Sequence, residues 1–163
     1  MKILILAAGN DIHSVRWANQ LAHHGNAVHL CYVSNQKPAM DKFRDGIFLY
    51  ELKVPAPYGY YLNAPQLKKI IRKVKPDILN AHYSSGYGTL GRLANFSPFL
   101  ISVYGSDVYD FPYRKNRNMR IIRKNLYAAD EIASTSYAMA VQTSSLVDIP
   151  VSNINITPFG VDI

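Results

Sequence analysis

Residues 2–11 read Lys-Ile-Leu-Ile-Leu-Ala-Ala-Gly-Asn-Asp, and this short stretch decides the fold class. Lys2 to Ala8 holds an unbroken apolar run, the pattern of a strand buried on both faces of a parallel sheet. Gly9-Asn10-Asp11 then stops it with turn-forming residues. A helix follows, with Ser14 in N-cap position, Val15, Ala18, Leu21 and Ala22 on one face, and Gly25 as its C-terminal stop. Ala27 to Val33 reads as the next strand, so the first thirty-three residues already form a strand–helix–strand unit.

The same alternation continues along the chain. Gly46 to Val54 contains a third strand after an aperiodic loop over 34–45. Pro55-Ala56-Pro57-Tyr58-Gly59-Tyr60-Tyr61 is expected to be irregular, because its prolines and glycine break either ladder. Asn63 is placed to cap a helix with Gln66 in capping-box position. Leu67, Ile70, Ile71 and Val74 form that helix's buried stripe, and Pro76 ends it. Further strands are expected over 77–82, 99–104, 131–135 and 155–159. The helices between them are expected to open at Ser84 or Ser85, to span roughly Tyr113 to Ala128, and to begin at Ser136. Strand–helix alternation of this kind predicts an α/β protein: a Rossmann-like, doubly wound, mostly parallel sheet with helices on both faces.

Composition narrows the class. With 48% hydrophobic residues in 163, the chain can bury one compact core, which predicts a single domain over 1–163 and excludes intrinsic disorder. The longest apolar runs are about six residues, whereas a spanning helix needs about twenty. The opening run is also cut short at Gly9-Asn10-Asp11, too early for a signal peptide. Cys31 stands alone, which excludes an internal disulfide and suits a reducing, cytoplasmic setting.

The net charge of +7 is unevenly spread. Between Gln66 and Lys124 twelve basic residues face only Asp77, Asp107 and Asp110, a local charge of +9 where the rest of the chain carries −2. Such a patch draws anionic partners. Lys68 to Lys75 also reads as an ordinary solvated helix face. Arg114, Lys115, Arg117, Arg120, Arg123 and Lys124, interleaved with Tyr113, Met119, Ile121 and Ile122, read instead as a basic amphipathic helix suited to an anionic membrane surface.

Ligands of open α/β sheets bind beyond the carboxyl ends of the strands. A dinucleotide site is disfavoured there, since the first turn has one glycine and the second strand ends in Ser34-Asn35-Gln36 without an acid. Neither a Gly-x4-Gly-Lys-Ser/Thr loop nor a Gly-x-Ser-x-Gly elbow occurs. What remains at the strand ends is small and polar: Gly9, Asn10, Asp11, His13 and Arg16 after the first strand, His82 ending the fourth, and Tyr104, Gly105, Ser106 and Asp107 after the fifth. A helix N-terminus with an arginine suits an anion. His82 equally suits a satisfied core histidine, and Asp107 a turn cap. No pair of residues shows metal-ligand spacing.

At these residues the chain resembles the N-terminal, acceptor-side domain of family 4 retaining glycosyltransferases, which have the two-domain GT-B fold. The resemblance rests on Lys2-Ile3-Leu4-Ile5 and on the segment from Arg16-Trp17-Ala18 to Gly25-Asn26-Ala27-Val28. It also rests on Pro76-Asp77-Ile78-Leu79-Asn80-Ala81-His82, Tyr104-Gly105-Ser106-Asp107-Val108, Ala133-Ser134-Thr135-Ser136 and Pro158-Phe159-Gly160-Val161-Asp162, in that order. Two departures stand out: tyrosine at 104 where the family often has histidine, and Gly9-Asn10-Asp11 where it often has a Gly-Gly turn.

The resemblance implies transfer of a sugar from a nucleoside diphosphate sugar to a glycan or lipid-linked acceptor with retention, without a metal or other cofactor. It implies that His82 and Asp107 orient the acceptor hydroxyl or donor sugar, that the loop from Gly9 to Arg16 approaches the diphosphate, and that Tyr58, Tyr60 and Tyr61 flank the acceptor. The closing Pro158–Asp162 segment resembles the hinge into a C-terminal donor-binding domain. The expected partners are therefore that missing domain, the sugar acceptor and an anionic membrane surface on the cytoplasmic side. The fragment alone is expected to be inactive. A different class stays open: a non-enzymatic α/β module docking on an anionic membrane, or less readily on nucleic acid, through the basic face over 66–124.

Overall fold

The structure, a computed structural model, describes residues 1–159. In chain order its elements are β1 (Lys2–Leu6), α1 (Ile12–His23), β2 (Ala27–Val33), β3 (Phe48–Leu52), α2 (Gly59–Leu62), α3 (Ala64–Val74), β4 (Ile78–His82) and α4 (Gly86–Ala94). Then come β5 (Phe99–Val103), α5 (Ser106–Tyr109), α6 (Phe111–Arg114), α7 (Asn116–Tyr127), β6 (Glu131–Ser134), α8 (Tyr137–Val147) and β7 (Ile154–Ile156). The seven strands form one sheet in the order β3-β2-β1-β4-β5-β6-β7, and every neighbouring pair is parallel. This is the doubly wound α/β fold that strand–helix alternation predicts.

Connections from β1 lead to one side of the sheet and those from β4 to the other, so the crevice between the carboxyl ends of β1 and β4 is the topological switch point. Leu4, Ile5 and Leu6 are wholly buried at its base. The two faces are covered unequally. Ile3, Ile5 and Ala7 pack with Ala18 of α1 and with Val28, Leu30 and Tyr32 of β2. The opposite face carries Leu67 of α3, Leu90 of α4, Ile122 and Leu126 of α7, and Ala140 and Leu146 of α8 in one larger cluster. Register carries side-chain parity across the switch point: Ile5 pairs with Asn80 and His82 with Ser102. Asn80, His82 and Ser102 therefore stand on the α1 face, where the pleat raises alternate residues.

Several local expectations are corrected. The N-cap of α1 is Asp11, whose carboxylate accepts from the Ser14 N–H at 3.2 Å and from the Ser14 hydroxyl at 3.0 Å, so Ser14 lies inside the helix. Gly25 (φ +78°) ends that helix in the left-handed conformation its sequence position suggests. Asn63 does not cap α3: it is itself helical (φ −83°, ψ −2°) because α2 runs directly into α3, and capping needs an extended residue. Its amide instead brackets Val54, accepting from the N–H at 3.0 Å and donating to the carbonyl at 2.8 Å. Gln66 likewise reaches Lys53 N–H and Glu51 carbonyl, stitching α3 to the edge strand β3.

The stretch expected to be irregular closes with the one-turn helix α2. Its first residue, Gly59, lies against the Val54 carbonyl so closely that a Cβ has no room. Gly59→Ala is expected to cost about 1–3 kcal/mol of unfolding free energy through this forced backbone shift, read as a lowered urea midpoint. The basic segment is two helices, α6 and α7, because Lys115 between them is extended (φ −157°, ψ 145°). The last strand is Ile154–Ile156. Of the expected hinge, Gly160, Val161 and Asp162 lie outside the described residues.

Candidate active site

The switch-point crevice gathers the loops after β1, β4 and β5, and one chain of hydrogen bonds rises through it from the sheet. Ser102 Oγ donates to Asn80 Oδ1 at 3.0 Å, which turns the Asn80 amide nitrogen toward His82 Nε2 at a long 3.5 Å. An amide nitrogen only donates, so Nε2 accepts and the imidazole proton sits on Nδ1. Nδ1 then donates to Tyr104 Oη at 2.8 Å. With an oxygen lone pair so occupied, the Tyr104 hydroxyl is left to offer its own proton to the crevice.

Burial decides both protonation states. His82 is 1% exposed, and desolvation, with a lesser push from His13, brings its imidazole down to about 3, so it is neutral at any working pH. Burial first, then the Asp11, Tyr83 and Asp107 charges, raises Tyr104 far above the ordinary phenol range. Tyr104 is a fixed hydrogen-bond donor, and neither ring is a general base near neutral pH.

Asp107 turns its carboxylate into the protein, between two loops. Its carboxylate accepts from Ser84 N–H at 2.7 Å and Ser84 Oγ–H at 2.9 Å on one oxygen, and from Tyr104 N–H at 3.1 Å and Gly105 N–H at 2.9 Å on the other. At 1% exposure it is the buckle that joins the loop after β4 to the loop after β5. Gly105 permits the turn with φ +135°, a conformation closed to other residues in practice. Ser106 begins α5 at the surface.

Asn125, which sequence reasoning did not pick out, supports the same loop from below. Its amide donates to Ser84 carbonyl (2.7 Å), Ser85 carbonyl (3.1 Å) and Thr89 Oγ1 (2.8 Å), and its oxygen accepts from Arg92 Nε at 2.8 Å. A signal existed: Asn125 sits among Ile122 and Leu126 on the buried stripe of α7, and a polar residue there must have partners.

On the β1 side, Gly9 N–H bonds the Gln36 carbonyl at 3.0 Å, and a Cβ there would strike Pro38, so the first loop closes on the one after β2. Asn10 is exposed, and Arg16 stands one turn into α1. His13 lies flat on Phe159 (centroids 3.9 Å, 13°), and both rings meet Tyr104 edge-on, at 6.1 and 4.9 Å. His13 Nδ1 is buried without a hydrogen-bond partner.

The structure thus brings Asp11, His13, His82, Tyr104 and Gly105 together, with Tyr83 and Phe159 added. It does not bring in Tyr60, whose ring is packed over Gly86 and Tyr87, with its hydroxyl accepting from Gln36 at 3.1 Å. Tyr58 and Tyr61 point outward beside Arg117. Arg114 pairs with Asp110, and Arg123 Nε donates to Leu146 carbonyl at 2.8 Å, whereas Lys115, Arg117, Arg120 and Lys124 are exposed. Among the described residues no group of three His, Cys, Asp or Glu could hold a metal ion, and no helix is long and apolar enough to cross a membrane.

No curated protein matches the sequence. Among solved structures, HepE from Anabaena, in complex with UDP and glucose, superposes with a TM-score of 0.70 over 99% of this chain and 45% of its own, at 12% identity. Sucrose-phosphate synthase from Thermosynechococcus elongatus gives 0.67 over 97% and 48%, at 13% identity. UDP-GlcNAc 2-epimerase from Neisseria meningitidis, bound to UDP-GlcNAc, gives 0.65 over 96% and 46%, at 15% identity. The chain therefore spans a little under half the length of these proteins, and at such identities the likeness establishes the fold: a half of the GT-B architecture. The sequence profile of the glycosyl transferase 4-like family matches residues 2–136, most of the chain, and this chain belongs to that family.

Proposed function

We propose that this chain is the acceptor-side half of a cytoplasmic retaining glycosyltransferase that moves a hexose from a nucleoside diphosphate sugar to a hydroxyl of a glycan or lipid-linked acceptor. The observation that carries the reading is the hydrogen-bonded file Ser102–Asn80–His82–Tyr104, ending as a single aimed donor in the crevice of a glycosyl transferase 4-like domain. The acceptor oxygen bonds to the sugar's anomeric carbon on the face from which the diphosphate departs. The bond to the diphosphate oxygen breaks, and the acceptor's proton passes to that diphosphate. No side chain of this half is asked to be the base, in keeping with a neutral His82 and a phenol that holds its proton.

Tyr104 touches the reacting sugar or acceptor hydroxyl as a donor, and His82 is its positioning residue. Asp107 positions the two loops rather than meeting substrate. Asp11 modifies the expectation for the first loop: a carboxylate already occupies the N-terminus of α1, so that loop suits acceptor hydroxyls better than a diphosphate. The diphosphate and nucleotide are held by a second α/β half, without a metal.

Two measurements test this. Residues 1–163 alone are expected to release no nucleoside diphosphate above the buffer rate, whereas a longer protein carrying both halves does. Substantial turnover by the chain alone would remove the assignment. In the active protein Tyr104→Phe is expected to lower kcat about tenfold, the worth of one hydrogen bond to a group gaining charge. An unchanged kcat would take Tyr104 out of the reaction.

A further inference from the structure

Tyr104 stands inside a ring of aromatic side chains drawn from three other parts of the chain. Between ring centroids, His82 lies 5.0 Å away, Tyr83 5.1 Å, Phe159 4.9 Å and His13 6.1 Å. Tyr83 reaches this position by taking φ +71°, a left-handed conformation that bulky residues rarely adopt. Phe159 comes from the far edge of the sheet. It follows β7, which stands four places from β1, yet its ring lies flat on His13 in the first turn of α1, at 3.9 Å and 13°. The segment after β7 therefore crosses the carboxyl rim of β6 and β5 to reach the crevice. Thr157 ties it down at its start, its N–H donating to the Ser134 carbonyl at 2.7 Å.

Of these rings, Phe159 alone has no hydrogen-bonding atom in its side chain. It can neither orient a hydroxyl nor hold a phosphate; what it can do is displace water. The nitrogen beneath it shows the result. His13 Nδ1 is shut off from solvent and meets no hydrogen-bonding group among the described residues, an arrangement that costs stability and asks for a reason. Water is the competitor of every acceptor hydroxyl. In transfer the acceptor oxygen bonds to the anomeric carbon as the diphosphate oxygen leaves. In hydrolysis a water oxygen forms that bond instead, a water proton passes to the departing diphosphate, and the free sugar is released. A single donor such as Tyr104 serves either oxygen, so the choice between them falls to whatever controls access. We propose that Phe159, stacked on His13, is a specificity-determining residue that shuts water out of the Tyr104 crevice and so favours transfer over hydrolysis. The chemistry rests on the transfer reading above; the cover itself rests on the ring contacts.

The test has two arms. In the 163-residue chain, deuterium exchange at each imidazole C2–H, followed by mass spectrometry, reads how freely water reaches each histidine. Phe159→Ala is expected to speed exchange at His13 about threefold or more, while the exposed His23 and His24 keep the parent's rates. In the protein carrying both halves, free glucose released without an acceptor is measured from UDP-glucose, GDP-glucose and ADP-glucose. Phe159→Ala is expected to raise that release about tenfold, whereas Phe159→Leu, which keeps an apolar cover, stays close to the parent. A residue that only anchored its segment would, on removal, lower hydrolysis along with transfer. Two results would overturn the proposal: unchanged exchange at His13 in Phe159→Ala, or acceptor-free hydrolysis that stays level or falls in that variant. Silence from parent and variant on all three sugars would remove the transfer reading and its hydrolytic consequence, and the exchange arm would then decide the cover alone.

Discussion

Asp107→Ala is expected to lower the unfolding free energy by about 3–5 kcal/mol, a large fraction of the stability of a domain this size. The substitution removes few atoms but strands four donors. Ser84 N–H, Tyr104 N–H and Gly105 N–H all point at the carboxylate in a site 1% exposed, and alanine offers them nothing. Each orphaned buried donor costs about 1–3 kcal/mol, and partial opening of the two loops to water keeps the sum below the simple total. Only the Ser84 hydroxyl can turn to find another partner. Asp107→Asn keeps one oxygen but sets an amide against Ser84 N–H, so it is expected to cost about half as much. Urea unfolding followed by circular dichroism measures both. A loss under about 1 kcal/mol for alanine would show that the loops are held by something other than this carboxylate. Activity should fall with stability here, because Tyr104 rides on the same loop.

Acid stability carries the second large effect. His82 is neutral when folded and stays so until about pH 3, whereas in the unfolded chain it protonates near its ordinary 6.5. Below 6.5 the unfolded state therefore binds the extra proton, and stability falls as pH falls. The full contribution is present above about pH 6.5 and is lost progressively on the way down toward 3. The slope is about 1.4 kcal/mol per pH unit, so about 2 kcal/mol is gone by pH 5. His29, lowered by burial and by Lys2, acts in the same direction. The difference between the parent and His82→Asn isolates His82: the variant should start less stable at pH 7.5 and lose about 2 kcal/mol less between pH 7.5 and 5. Parallel pH profiles for the two proteins would mean that His82 is charged, or reached by water, in the folded state.

The same neutrality bears on catalysis. If His82 only positions Tyr104, the pH profile of kcat has no limb near 6.5 arising from it, and His82→Asn, which keeps a donor near the Nδ1 position, should retain more activity than His82→Ala.

How far the site was legible in sequence differs residue by residue. His82 stood out because it ends a strand at the carboxyl edge, and its side of the sheet follows from counting alternate residues back to Ile78. Asp107 was visible as an acid beside a Gly-Ser turn, but its direction was not: a carboxylate after a strand can face the cleft or fold back, and the two readings share one sequence. Tyr60 was grouped with Tyr58 and Tyr61, although only it packs inward, because helix α2 closes where two prolines argued for irregular chain. Phe159 lies well over a hundred residues from His13, and nothing local to either predicts that they stack.

The sequence by itself determined the architecture: apolar runs of strand length, amphipathic stripes of helical length and the turns between them admit little besides a parallel sheet wrapped in helices, since each element must bury its apolar face against another. It also determined where chemistry can occur, because strand order alternation puts polar loop residues at the carboxyl rim. Only the tertiary structure decided which of those polar groups serve the crevice and which serve the fold. That choice depends on partners distant in sequence, Ser84 for Asp107, Asn80 for His82 and Gly86 for Tyr60. A buried polar group takes whichever donor or acceptor the packed chain brings within about 3 Å, and no local pattern encodes that meeting.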